Sequence, residues 1–301
     1  MTITLLDGGM GQELLRRTGD RPTHQWSVRL MHEHPDLVAQ IHHDYFTAGA
    51  DIATANTYAI QRDRLNGTEL EDAFEQLYDT ALSAAAQARA AHGSGRIAGA
   101  LGPINGSYRP EHHPDLATAR ALYAEGAQLM QGRVDLVICE TVASLLQARA
   151  TLEGAQAAGA PIWLAVTVDD TCGARLRSGE AVADVIALAQ DAGTEAILVN
   201  CSMVEAMPAA LDALAASRLP LGVYANAFTR ISAAFKTAKS NVSMLQARTD
   251  LDPMRYAEHG QLWAARGASI IGGCCETGPA HIAELARRLK PQSETVVQAR
   301  L

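Results

Sequence analysis

SIIGGCCETGPAHI, residues 269–282, ends the last strand-like run of the chain and opens its last amphipathic helix. A short β-branched run meets two glycines and two adjacent cysteines, and Ile282, Leu285, Ala286 and Leu289 then follow at helical spacing. The same strand-then-helix unit recurs throughout the sequence. Apolar runs stand at residues 3–6, 51–55, 96–101, 136–139, 162–168, 196–200, 221–224 and 269–272. The spacing between them predicts helices over 35–48, 70–91, 115–131, 144–158, 180–192, 204–217 and 253–266. Eight such units with no linker predict an α/β protein, a single (β/α)8 TIM-type barrel domain spanning 1–301. A doubly wound open sheet is the competing architecture. Eight, however, is the count that closes, and no G-x-G-x-x-G follows the first run. Two connections are long, 18–34 and 225–252. The second is expected to be functional or to hold a short extra helix.

Composition narrows the function. Hydrophobic residues make up 48% of the 301, enough for a large core, while aromatics make up only 5%. The net charge of −8 comes from interleaved acids and bases, with no basic stripe to neutralise phosphates, so nucleic acid is not an expected partner. The first residues, MTITLLDGGM, lack a basic region and a cleavage site, and no apolar run approaches the roughly 20 residues that span a bilayer. The expectation is a cytoplasmic protein without a membrane partner. Long exposed loops leave room for a homo-oligomer.

Adjacent cysteines make poor disulfide partners for each other, because the bridge needs a distorted backbone. Barrel enzymes work at the carboxyl ends of their strands, so the residues just after each run carry the chemistry. Asp7, Asn56, Tyr58, Glu140, Asn200, Cys201, Tyr224, Cys274 and Cys275 stand there. Cys201 follows run six and Cys274–Cys275 follow run eight, so three thiolates can converge from the two strands that flank run seven. Three sulfur ligands favour Zn²⁺, and the lack of a fourth cysteine or histidine at a comparable place leaves an open position. Gly272 and Gly273 are read as allowing a sharp turn there. Cys139 reads as a core residue facing away from Glu140, and Cys172 as an incidental thiol. A sulfur-rich zinc is a weak activator of water but suits binding a substrate thiol and presenting it as a nucleophile. The natural reaction is alkyl transfer to sulfur.

With LLDGGMGQEL (5–14), WSVRL (26–30), AGADIATANTY (48–58), GALGP (99–103), ICET (138–141), VNCS (199–202) and IIGGCCETGPAHI (270–282), the chain resembles the zinc-dependent homocysteine S-methyltransferases. That family includes selenocysteine and betaine–homocysteine methyltransferases. The resemblance implies a zinc ion on Cys201, Cys274 and Cys275, and homocysteine as the methyl acceptor. It also implies that Asp7 and Gly8, with Glu140, hold the amino-acid end of the acceptor. Asn200 joins these as a substrate-binding candidate. The donors it implies carry a methyl on a positive sulfur or nitrogen: S-methylmethionine, S-adenosylmethionine or betaine. Aromatic faces would steady such a cation, and Trp26, Tyr58 and Tyr224 are the candidates. The product would be methionine. The chain departs from the S-methylmethionine branch after run seven, where a Pro-Asn-Ser-Gly-Glu stretch is replaced by YANAFTRISAAFKTAKSN (224–241), which leaves the donor open. Methylation of a selenol or another thiol, or a non-catalytic zinc and thiol-binding module, are the alternatives. The histidines, His42 among them, stand in charged contexts and read as solvated.

Overall fold

The computed structural model describes residues 2–21, 26–231 and 245–291, and of Trp26 the backbone only. Its strands are β1 (Thr4–Leu5), β2 (Ile52–Thr54), β3 (Arg96–Leu101), β4 (Leu136–Val142), β5 (Ile162–Val166), β6 (Ala196–Met203), β7 (Leu221–Asn226) and β8 (Ala268–Gly273). All pair in parallel in the order β1-β8-β7-β6-β5-β4-β3-β2. The two free edges meet through a Leu6–Ile52 bridge, where the Asp7 N–H donates to the Ile52 carbonyl at 3.1 Å. The ring closes, as the count of eight requires.

Around it lie α1 (Met10–Thr18), α2 (Trp26–Glu33), α3 (Pro35–Thr47), α4 (Arg62–Leu65), α5 (Phe74–His92), α6 (Leu116–Met130), α7 (Leu145–Ala155), α8 (Val185–Asp191), α9 (Met207–Leu214), α10 (Pro253–Ala265) and α11 (Pro279–Leu289). Three of these, α1, α2 and α4, fall where the sequence shows no helical stripe. Helix α1 buries Gly11 and Glu13 beside Met10 and Leu14, so its hidden face is not an apolar one. Helix α2 occupies part of the predicted 18–34 connection. Helix α8 is shorter than the predicted 180–192, because a tight 3₁₀ turn, Val182–Asp184, precedes it.

Packing forms two concentric layers. Leu6, Ile52, Ala98, Leu136, Ile138, Trp163, Ala165, Ala196, Leu198, Tyr224 and Ile270 fill the barrel interior, drawn from all eight strands or their ends. The intervening residues, Val137, Cys139, Leu164, Ile197, Val199 and Val223 among them, face outward into the larger core under the helices. Cys139 is fully buried there, on the face opposite Glu140. This two-residue alternation sets which strand-end side chains can enter the barrel mouth.

Candidate active site

Continued inward from Leu136 and Ile138, the alternation of β4 points Glu140 into the barrel mouth. The same count along β6, Ala196, Leu198, Asn200, turns Cys201 the wrong way. A register shift between Asn200 and Met203 corrects this, with Cys201 itself at φ +47°. A matching shift on β4, between Cys139 and Val142, places Thr141 at φ +61°. Bulges of this kind re-aim side chains, and non-glycine residues in the left-handed region recur where function holds them. The two bulges clasp each other across β5. The Thr141 N–H donates to Asn200 Oδ1 and the Asn200 amide donates to Thr141 Oγ1, both at 3.0 Å. Asn200 is fully buried in this clasp and is not part of the cavity wall. Its side chain positions Cys201 and leaves substrate contact to others.

Behind Cys201 lies a buried ion pair. Arg177 Nη2 meets Asp170 Oδ1 at 2.9 Å, with both side chains at or below 5% exposure. Arg177 also donates to the Thr167 hydroxyl at 2.9 Å and reaches the Cys201 carbonyl at 3.4 Å. Asp170 in turn accepts the backbone N–H of Met203 and of Ile231. The pair ties the loops after β5, β6 and β7 together under the thiol.

The sulfurs of Cys201, Cys274 and Cys275 lie within 4.8 Å of one another, and those of Cys201 and Cys274 are in contact. Among the described residues this is the only cluster of three or more metal-ligating side chains. A tetrahedral zinc with Zn–S of about 2.3 Å needs sulfurs about 3.8 Å apart, so the donor set fits such an ion with little movement. Burial pushes the Cys275 thiol up to about 12, against the pull of the Gln12 amide beside it. A thiol in that setting ionises at neutral pH only with a cation's help. The glycines before the pair act through space and not through a turn, since neither lies in the left-handed region. A Cβ at Gly273 would strike the Thr277 hydroxyl, and one at Gly8 the Thr277 carbonyl. Glycine thereby lets the end of β8 press against the end of β1, where Gly273 N–H donates to the Asp7 carbonyl at 2.9 Å.

Asp7 and Glu140 share the cavity with these sulfurs. Asp7 accepts from the Thr54 N–H at 2.7 Å and its hydroxyl at 2.9 Å. Burial nonetheless raises its carboxyl to about 7. Glu140 accepts from the Tyr224 hydroxyl at 3.0 Å and is likewise raised to about 7, by burial first, with the charge of Asp7 adding to the effect. Two buried carboxyls that each hinder the other's ionisation form a ready seat for a cation. His42 corrects the expectation of a solvated histidine. It is fully buried on α3, 4.0 Å from Asp7, and burial lowers it to about 4, so it stays neutral and supplies no counter-charge. Its polar neighbours in sequence lie on the outer face of α3, which conceals the inward turn of this one residue.

The cavity has a volume of about 560 Å³. Gly8 and the first turn of α1 (Met10, Gly11 and Gln12) line one side, while Tyr58 and Tyr224 line others. The Gly9 N–H is taken by the Thr277 carbonyl at 2.8 Å. The side chain of Trp26 and most of the 225–252 connection lie outside the described residues. Sequence reading missed Arg64, Tyr108 and Arg109, all of which line the cavity. Tyr108, at φ +63°, packs with Cys201, Phe228, Cys274 and Cys275. Its signal was the Gly106-Ser107-Tyr108 turn after β3, a strand end where only Gly99–Pro103 had stood out.

An α/β barrel whose carboxyl-end cavity joins a sulfur cluster to a buried acid pair is a barrel enzyme with a candidate metal centre. Residues 4–289 match the family described as homocysteine S-methyltransferase, and the chain belongs to that family and is a methyltransferase. It is 31% identical to the homocysteine S-methyltransferase of Escherichia coli K12 over 95% of each chain. It is 25% identical to the selenocysteine Se-methyltransferase of Brassica oleracea var. italica, over 95% of this chain and 88% of that one. The metallated form of the homocysteine methyltransferase MmuM from Escherichia coli superposes with a TM-score of 0.80 at 29% identity, covering 96% of both chains. Among the described residues no helix is long and apolar enough to cross a membrane.

Proposed function

We propose that this protein transfers a methyl group from a cationic donor to the thiol of homocysteine, forming methionine, with zinc held by Cys201, Cys274 and Cys275. The observation that carries the reading is the three sulfurs within 4.8 Å of one another in one cavity with a buried pair of carboxyls. Bound there, zinc would supply the Lewis acidity that keeps the acceptor thiol ionised at neutral pH. Asp7 and Glu140 take the acceptor's ammonium, whose charge lets both carboxyls ionise. The first turn of α1 offers backbone N–H groups without intrahelical partners, which suit the acceptor's carboxylate. Tyr224 holds Glu140 in place, and the Thr141–Asn200 clasp holds Cys201.

The transfer is a displacement. The thiolate lone pair forms the new S–CH₃ bond while the bond from methyl to the donor's positive sulfur or nitrogen breaks. The bonding pair leaves on that atom, which becomes neutral, and no general acid is needed. The chain's task is therefore alignment and exclusion of water. S-methylmethionine, S-adenosylmethionine and betaine are the donors to try. A selenol acceptor is the second reading, favoured by the selenocysteine Se-methyltransferase relative. The test incubates zinc-loaded protein and homocysteine with each donor separately and counts methionine by mass spectrometry. Methionine from one donor is the expected result; none from any of the three, with zinc bound, would overturn the reading.

A further inference from the structure

Strands β6 and β8, which carry the cysteines, flank β7, and in a ring of eight β7 stands opposite β3. The wall across the cavity from the sulfurs is thus built by the segments after β2 and β3: helix α4 and the turn from Asn105 to Arg109. Displacement at a methyl group needs its leaving atom on the far side from the attacking thiolate. The donor's body must therefore lie against that wall.

The wall does not suit a bare cation. Arg64 and Arg109 both line it. Arg64 stands 5.5 Å from the centroid of the Tyr58 ring and donates to Ser107 Oγ at 3.4 Å, and Ser107 shares a 2.6 Å hydrogen bond with the Tyr58 hydroxyl. Arg109 has a buried Nε with no hydrogen-bond partner among the described residues. One acid lies nearby, Asp63, whose carboxylate accepts the Asn105 N–H at 2.9 Å. Two guanidiniums beside the place where a positive sulfur or nitrogen must sit repel it unless an anion lies between them. Guanidinium is the side chain best matched to a carboxylate.

We infer that Arg64 and Arg109 form a carboxylate subsite at the cavity wall opposite the cysteines, and that it selects zwitterionic donors over bare onium ions. The inference rests on the methyltransferase reading above but concerns the donor alone. The cavity then sorts charge along its depth. Acids near the sulfurs take the acceptor's ammonium, the tyrosines meet the donor's onium, and the arginines take its carboxylate.

The probes are S-methylmethionine and S-methylmethioninamide, which differ in the carboxylate. Each is titrated calorimetrically into the zinc- and homocysteine-loaded protein and is also offered as a methyl donor. The wild type should prefer the acid at least tenfold, through Kd and KM with little change in kcat. In Arg64→Gln/Arg109→Gln the preference should fall to within about twofold, while homocysteine affinity stays unchanged. Arg109→Lys should restore part of it. A preference that survives the double substitution overturns the inference, as does binding of neither probe, or a loss of homocysteine affinity in its place. Arginine-dependent binding of the acid without methionine formation would uphold the subsite and count against the methyltransferase reading, so the two failures are distinct. Circular dichroism and melting of the single variants separate loss of the subsite from loss of the fold.

Discussion

Glu140 illustrates how a binding residue weakens the fold that holds it. Its carboxyl ionises at about 7 in the folded chain against an ordinary 4.5, so the folded state holds its proton longer than the unfolded state does. Stability from this group is full below about 4.5 and is lost as pH rises through about 7. Glu140→Gln keeps an acceptor for the Tyr224 hydroxyl and removes the buried charge. In the absence of acceptor it should melt higher than the wild type at pH 8, by roughly 5 °C, and at nearly the same temperature at pH 4. Homocysteine affinity should fall at least tenfold at pH 8, because the ammonium loses one of its two counter-charges. For the wild type, acceptor affinity should climb with pH toward and just above 7 as Asp7 and Glu140 ionise, and titration calorimetry across that range reads the slope. A flat profile would detach the acid pair from acceptor binding.

At the scale of elements, the site depends on two irregularities in otherwise regular strands. Cys201 enters the cavity because β6 slips register after Asn200, and the reciprocal Thr141–Asn200 hydrogen bonds hold that slip against the one on β4. Asn200→Ala leaves two buried partners unsatisfied and should cost about 2–4 kcal/mol. It should also weaken metal retention in a chelator competition without touching substrate directly. Unchanged metal affinity would mean the bulge holds itself. Gly273→Ala forces a Cβ onto the Thr277 hydroxyl and should separate the β8 cysteines from β1, again seen as lost metal and a lower melting temperature. These features mark the boundary of what was legible in sequence. The three cysteines and the acid pair could be found because they follow strand-like runs. The bulges could not, since strict alternation ends β4 at Cys139 and β6 at Asn200 and gives no sign that each strand continues past an extra residue. Helix α1 was hidden for a similar reason: its inward face is built from Gly11 and Glu13, the latter neutralised by Arg16 and Arg17. His42 looked solvated because its sequence neighbours are.

Over the whole molecule, the barrel is least secure at the β1–β2 seam. These are the shortest strands, two and three residues long, joined by a single bridge. The end of the chain's last helix reinforces them: Lys290 donates to the Gly49 carbonyl at 2.8 Å and to Asp51 at 2.7 Å, while Asp51 accepts the Leu5 N–H at 2.8 Å. Asp7, one residue beyond the seam, joins the closure to the acceptor site. Lys290→Ala, at a part-exposed pair, should lower stability by only about 0.5–1 kcal/mol. Its effect should concentrate in faster amide exchange at Leu6, Asp7 and Ile52, with the β4–β6 amides unchanged; uniform acceleration would mean that the barrel opens as one unit. The eight-fold closure itself was readable from the count of units, because each strand-helix pair buries an apolar face that only the next pair can cover.

The most direct test of the central claim is X-ray absorption at the zinc edge, on protein loaded with one equivalent of zinc, before and after homocysteine is added. Three sulfurs and one lighter ligand are expected at first, and four sulfurs once the acceptor thiol fills the open position, with Cys201→Ser and Cys274→Ser failing to retain the metal. A zinc environment that homocysteine leaves unchanged, while the same sample makes methionine, would contradict the assignment of Cys201, Cys274 and Cys275 as the centre that activates the thiol.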